Sequence, residues 1–359
     1  MATPWLAPQG GGLERYAASV ARALAASGHE VTLVGHSTTP VDATREGVRA
    51  LGIVARARLS NTPLPLDIGR AARRLLREER YDVANVHTPV PGTAEVVAHA
   101  ARREGVPSVV TYHAGALGAP PGPLRLAARA HGLFFQRAML HAAAGRIAVS
   151  PYVAAHVFRG LACDVVSPGV DTERFRPVAS PVPGRVLFVG PPARAYTWKG
   201  LAVLSDAMRL VDVPAAHLRI VGDGDLADHF RERGATVTGR VADEQLAREM
   251  SEASVVVLPS LTAAESFGMC LAEANACGRP VIGSDVGGIP SFLRHEENGL
   301  LVPPGDAVAL AEAIRRVLLD PPLARRLGER GRDIVQKEHR WDALAEKTAG
   351  VYERAVERA

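Results

Sequence analysis

Short runs of branched and aliphatic residues alternate along this chain with longer stretches whose apolar positions recur every three to four residues. Residues 31–35, 83–86, 108–112 and 146–150 read as strands, with helical stretches such as 13–27 and 68–79 between them. The second half repeats the scheme. Its strands fall at 185–189, 217–221, 236–238, 255–258 and 280–283, and its helices include 202–210, 243–253 and 307–319. Strands that are nearly continuous in apolar residues and alternate with helices predict parallel sheets covered on both faces. The fold class is therefore α/β, with two doubly wound, Rossmann-like domains.

The break between the halves is RPVASPVPG at 176–184, where three prolines in nine residues mark a linker. It divides the chain into a first domain at 1–176 and a second at 177–340. The amphipathic stretch 341–359 is expected to pack back on the first. Two such domains joined by a hinge predict a ligand cleft between the carboxyl ends of their sheets. The start breaks the pattern. The glycine triplet Gly10-Gly11-Gly12 arrives after only nine residues, so residues 2–6 are the tail of a strand. Either that strand is very short or the chain naturally starts further upstream.

Composition narrows the picture. A length of 359 residues suits two domains. With 47% hydrophobic and 22% charged residues, disorder is excluded. Cys163, Cys270 and Cys277 make no disulfide framework and no zinc spacing, which suits a reducing compartment. The charge-free stretch 105–124 is too rich in proline for a spanning helix, and the first ten residues lack the basic start of a secretion signal. The expected location is the cytoplasm or the inner membrane surface.

The net charge of +4 hides an asymmetry. Residues 1–180 hold 20 arginines against 13 acids, whereas the rest hold 22 basic and 25 acidic residues. An anionic substrate or an anionic membrane suits the first half. Residues 125–146 mix Leu, Phe and Met with Arg and His, so they read either as a helix with its apolar face in the core or as one lying on such a membrane. No basic stripe interleaved with aromatics marks a nucleic-acid partner.

The densest chemistry lies in Glu265-Ser-Phe-Gly-Met-Cys-Leu-Ala-Glu273. It follows the strand at 255–258, and Gly268 opens a helix. A helix start offers free backbone N–H groups to an anion, and carboxylates accept hydrogen bonds from paired hydroxyls such as those of a sugar or ribose. The plainer reading is two solvated helix acids beside an ordinary cap. Arg194 and Lys199 follow the strand at 185–189 as candidate cations. His113 ends one strand of the first domain and His87 ends the strand before it. Gly222-Asp223-Gly224 is too short for a dinucleotide fingerprint, because no third glycine follows at the needed spacing. No Asp-x-Asp pair suggests a metal, and no cofactor is expected.

The run ESFGMCLAEANACGRPVIGSDVGGIP resembles the signature of the family-four retaining glycosyltransferases, which have the GT-B fold. Further matches run in order along the chain: GGLERYAASVARALAASGHEVTLV, VHTP, TYHAG, SPGVDTERF, FVG, KGL, IVGDGDL, VTGRV and NGLLVPPGD. The resemblance implies a hexosyltransferase that takes its sugar from a UDP- or GDP-linked donor and gives it to an acceptor hydroxyl on a lipid, a glycan or a secondary metabolite. It implies that Glu273 holds the ribose and Glu265 the sugar hydroxyls. Backbone groups at Phe267, Gly268 and Met269 would meet the sugar and diphosphate. Arg194 and Lys199 would clamp the phosphates, although Pro191 stands where the family commonly has its arginine. Gly11, Gly12 and His113 would approach the donor, Gly222 would border the nucleotide, and Arg240 would lie by the base. Two rivals are a sugar-nucleotide epimerase or hydrolase and a silent nucleotide-sugar-binding subunit.

Overall fold

The computed structural model describes residues 1–7, 9–59, 62–65, 67–114 and 131–359. The chain forms two compact units. One comprises Met1–Gly169 with Trp341–Ala359, and the other is Val170–Arg340. Residues 170–176, placed with the first domain by the sequence pattern, are stitched into the second unit. The Val170 amide donates to the His339 carbonyl, and the Ser251 hydroxyl donates to the Arg176 carbonyl. A proline-rich stretch marked the neighbourhood of the boundary, but backbone hydrogen bonding decides on which side it falls.

In the first unit eight strands line up as β8-β7-β6-β5-β1-β2-β4-β3. They are β1 (Ala2–Trp5), β2 (Val31–Ser37), β3 (Val41–Arg45), β4 (Val48–Val54), β5 (Ala84–Thr88), β6 (Ser108–Tyr112), β7 (Gly145–Ala148) and β8 (Asp164–Val165). All neighbours are parallel except β3 and β4. Helices α1 (Gly12–Ala26), α2 (Ile68–Glu78) and α3 (Thr93–Arg103) supply crossovers.

The short first strand is central and wholly buried. Pro4 sits in it without a ladder N–H, a position that normally excludes proline. A bulge resolves the conflict. Ala2 pairs with Val34 and Trp5 with His36, so β1 carries one residue more than its partner over this span. The freed Pro4 carbonyl meets His36 Nδ1 at 2.9 Å. Opposite the bulge lies Gly35, where a Cβ would come within 2.9 Å of the Trp5 and Leu6 backbone.

The second unit orders its strands β11-β10-β9-β12-β13-β14, all parallel. They are β9 (Arg185–Val189), β10 (His217–Val221), β11 (Thr236–Val237), β12 (Val255–Leu258), β13 (Val281–Ser284) and β14 (Gly299–Val302). In both units the chain reverses its direction of travel across the sheet beside the first strand. The crevice at such a switch point, outside the carboxyl ends, is where doubly wound sheets bind ligands. In the first unit it lies between β1 and β5, and in the second between β9 and β12.

The last helix, α9 (Trp341–Glu357), returns to the first unit. Leu344, Val351 and Ala355 pack with Val109, Ile147 and Val166 in one buried cluster. Of the stretch 125–146, residues 125–130 lie outside the described residues. In the rest, Met139, Leu140 and Ala143 are buried while Phe134 and Phe135 are 70% and 65% exposed. Among the described residues no helix is long and apolar enough to cross a membrane.

Candidate functional site

The second unit gathers four loops at the carboxyl edge of its sheet. After β9 comes Gly190–Ala193 and a tight helical turn, Arg194–Lys199, broken by non-helical angles at Tyr196. Gly200 then sits at φ +74 against the carbonyl of Pro259, in the loop after β12, where any Cβ would collide. This contact binds the lysine turn to the Glu265 loop. The Lys199 ammonium donates to Glu265 Oε2 at 3.0 Å and lies 4.6 Å from the centre of the Trp198 ring. Both partners are mostly enclosed. Burial opposes the charge on Lys199, but the Glu265 carboxylate outweighs it and raises the ammonium above its ordinary value.

Glu265 is itself braced. Its Oε1 accepts from the Gly268 amide at 3.2 Å, and its carbonyl accepts from the Gly288 amide at 2.8 Å. Gly288 lies so close to the Ser266 carbonyl that no side chain fits there. Gly268, at φ +87, opens α6 (Met269–Ala276). Phe267 is 2% exposed, its ring set 5.5 Å from that of Phe292 and 5.4 Å from that of His339. The aromatic anchor fixes the loop, so what Phe267 can offer a ligand is backbone. One turn into α6, Glu273 is buried, and its charge helps raise the thiols of Cys270 and Cys277, which burial pushes up to about 12. These thiols stay protonated and unreactive.

The structure brings Lys199, Glu265, Phe267, Gly268 and Met269 together, with Glu273 on the same helix. Arg194 stands apart. Its amide and guanidinium both turn to Asp225, and its side chain is 81% exposed. The pairing of Arg194 with Lys199 as one clamp is thus not formed, since the two cations answer different acids. Gly222 pairs with Gly239 through a 3.0 Å hydrogen bond, which places Arg240 beside the Gly222 turn.

In the first unit, the Gly11 amide donates to Glu14 at 2.7 Å at the start of α1. A Cβ added at Gly11 or Gly12 would meet nothing within 4 Å. Packing within the chain therefore does not ask for glycine at either position. His113 follows β6, with its amide held by the Thr88 carbonyl. Its Nε2 lies 2.8 Å from Nδ1 of His87, and Tyr16 from α1 sets its ring edge-on against His113 at 4.7 Å. Sequence reasoning missed Tyr16, because an aromatic inside an amphipathic helix reads as ordinary core. Among the described residues no group of three His, Cys, Asp or Glu could hold a metal ion.

Each unit is thus Rossmann-like, with its loops gathered at the carboxyl edge of its sheet. The family model for glycosyl transferases group 1 matches residues 183–320, and that for glycosyltransferase family 4 matches 10–174. The chain is 31% identical to a D-inositol 3-phosphate glycosyltransferase of Jonesia denitrificans, over 96% of this chain and 91% of that one. Among solved structures it is similar to sucrose-phosphate synthase from Thermosynechococcus elongatus, with a TM-score of 0.82 and 26% identity over 100% and 98% of the two chains. It shares its fold with the Anabaena protein HepE, solved in complex with UDP-glucose, with a TM-score of 0.73 and 18% identity over 98% of each. The chain belongs to glycosyltransferase family 4 of the group 1 glycosyl transferases.

Proposed function

We propose that this enzyme moves a hexose from a UDP- or GDP-linked donor to an acceptor hydroxyl with retention at the anomeric carbon and without a metal ion. The observation that carries this reading is the Lys199–Glu265 pair set against the Gly268 helix start at the switch point of the second sheet. A cation and the amides of a helix start suit a diphosphate, and carboxylates suit sugar and ribose hydroxyls. Glu265 takes the sugar hydroxyls and Glu273 the ribose. Lys199 and the amides at Phe267 and Met269 take the phosphates, joined by the Gly268 amide once Glu265 turns to the sugar. Arg194, freed from Asp225, would reach the same anion, and the Gly222 and Arg240 turns border the nucleoside. In the first unit, Gly11, Gly12 and His113 serve the donor.

The chemistry balances without an enzymic nucleophile. The bond from the anomeric carbon to the leaving phosphate oxygen breaks, and the bond to the acceptor oxygen forms on the same face. The acceptor proton passes to the departing phosphate, whose growing charge Lys199 and the α6 amides stabilise. The acceptor, whether lipid, glycan or secondary metabolite, would be held by the first unit, and its surplus of arginine would favour an anionic acceptor or membrane surface.

The test is incubation with UDP-glucose and with GDP-mannose in EDTA. Slow release of free nucleotide is expected from one of them. With an acceptor, the product should keep the donor's anomeric configuration by NMR. Inversion of that configuration, or a strict need for a divalent ion, overturns the mechanism. Binding without any nucleotide release favours a silent subunit.

A further inference from the structure

His87 has no part in the reading above, yet it makes the closest polar contact of His113. Its ring is 1% exposed at the end of β5, and it lies nearly parallel to that of His113, with centroids 5.0 Å apart and planes at 28°. The 2.8 Å separation of His87 Nδ1 and His113 Nε2 is a hydrogen bond, so one ring nitrogen carries the proton and the other accepts it. Tyr16 closes the cluster edge-on, 4.7 Å from the His113 ring and 6.0 Å from that of His87. The Tyr16 hydroxyl is turned away to the Val166 carbonyl. On the far side of the bond, Nε2 of His87 is buried and has no hydrogen-bond partner among the described residues. A buried nitrogen left unmatched is a cost that folding normally avoids. The His87 ring is therefore held here for the bond at its other nitrogen.

We propose that His87 is a positioning residue that locks the ring and tautomer of His113, so that Nδ1 is the nitrogen His113 presents to the donor. The inference rests on the assignment of His113 to the donor. With Nε2 committed to His87, His113 cannot flip its ring without breaking the bond, and it can change tautomer only together with His87, whose outer nitrogen is buried away from solvent. Burial lowers the basicity of both rings, which keeps the pair neutral and the shared proton in place. The arrangement has the logic by which a partner fixes which nitrogen of a metal-bound or catalytic histidine is free, here with a second imidazole as the partner.

The experiment compares wild type with His87→Leu, which keeps the apolar bulk, and His87→Asn, which can replace Nδ1 in the hydrogen bond. Histidine-labelled protein reports the tautomer of His113 by 15N NMR, with His113→Gln assigning the signals. Nucleotide release from UDP-glucose and GDP-mannose gives kcat and KM. The expected result is one His113 tautomer in wild type and in His87→Asn but a mixture in His87→Leu. With the mixture, kcat should fall roughly 100-fold and KM change little, as for a misplaced reacting group, and Asn should restore most of the loss. A single tautomer in His87→Leu overturns the proposal, as does a kcat that Asn fails to restore although its tautomer is single. A mixed tautomer with kcat unchanged upholds the hold on the ring and overturns instead the placing of His113 at the donor. If His87→Leu does not fold, His87→Phe, which also offers His113 no hydrogen-bonding nitrogen, takes its place with the same two outcomes.

Discussion

Lys199 and Glu265 stand 66 positions apart in sequence and 3.0 Å apart in space. Each was legible as a candidate from its motif, but their union was not, because it depends on Gly200 fitting against Pro259. Arg194 shows the converse. Its place after the strand makes it a candidate in the sequence, yet its amide and guanidinium meet Asp225 from the loop after β10. Replacing Lys199 by Ala should lower turnover by about two to three orders of magnitude with a smaller change in donor affinity, because its charge matters most as the diphosphate leaves. Steady-state kinetics with the active donor would check this, and weaker binding at unchanged kcat would contradict it. The histidines make a second prediction. Burial pushes His113 down to about 3 although part of its surface meets solvent, and it lowers His87 well below its usual range. Both are neutral from mildly acidic pH upward, so kcat should show no imidazole titration between pH 5 and 8. Stability behaves differently. Between about 3 and 6.5 the unfolded chain binds protons that the folded His113 does not. Stability is therefore full above 6.5 and falls as pH drops through that window, by at most about 1.4 kcal/mol per pH unit for each such group. Denaturant titrations from pH 4 to 8 would show the slope.

The elements themselves were largely legible, because a buried parallel strand needs a continuous apolar run and each crossover needs an amphipathic helix. The misses were the edge strands β8 and β14 and the antiparallel pair β3 and β4. The outer strand of that pair is mostly exposed and polar, so it carries no core signal. Its only mark was the Glu46-Gly47 turn, where both residues take positive φ as a tight hairpin requires. The bulge in β1 was invisible for another reason, since it is a compromise between Pro4 and the neighbouring strand. Two glycine substitutions separate packing from ligand contact. Gly35→Ala puts a methyl against the bulged backbone and should destabilise the fold by about 1–3 kcal/mol. Gly11→Ala faces open space and should leave the melting temperature almost unchanged, yet it should impair use of the donor. Calorimetry and nucleotide-release assays on the two variants should give opposite patterns. If both lose only stability, the glycine loop has no part in binding.

At the scale of the molecule, the sequence pattern located two α/β halves and the return of the last helix, whereas the side to which residues 170–176 belong needed the hydrogen bonds of the second unit. Removal of residues 341–359 would expose Val109, Ile147 and Val166, which now pack on Leu344, Val351 and Ala355. Losing several buried aliphatic contacts at roughly 1.5–3 kcal/mol each is enough to unfold a domain of ordinary stability. Hydrogen exchange on the truncated chain should show fast exchange throughout β6 and β7 and unchanged protection in β9 and β12. Equal loss in both units would mean that the two do not fold separately.

The return of α9 to the first unit sets an order of assembly on the ribosome. Residues Met1–Gly169 belong to a unit whose missing wall, Trp341–Ala359, is made only after all of Val170–Arg340. At about 5–20 residues per second, that stretch takes roughly 10–35 s to synthesise. During this interval the growing chain holds an unfinished apolar surface around Val109 and Ile147, while the later-made unit is already free to close. The half translated second is thus the half that can mature first, and a frameshift just before the codons for Trp341–Ala359 would spoil the half translated first.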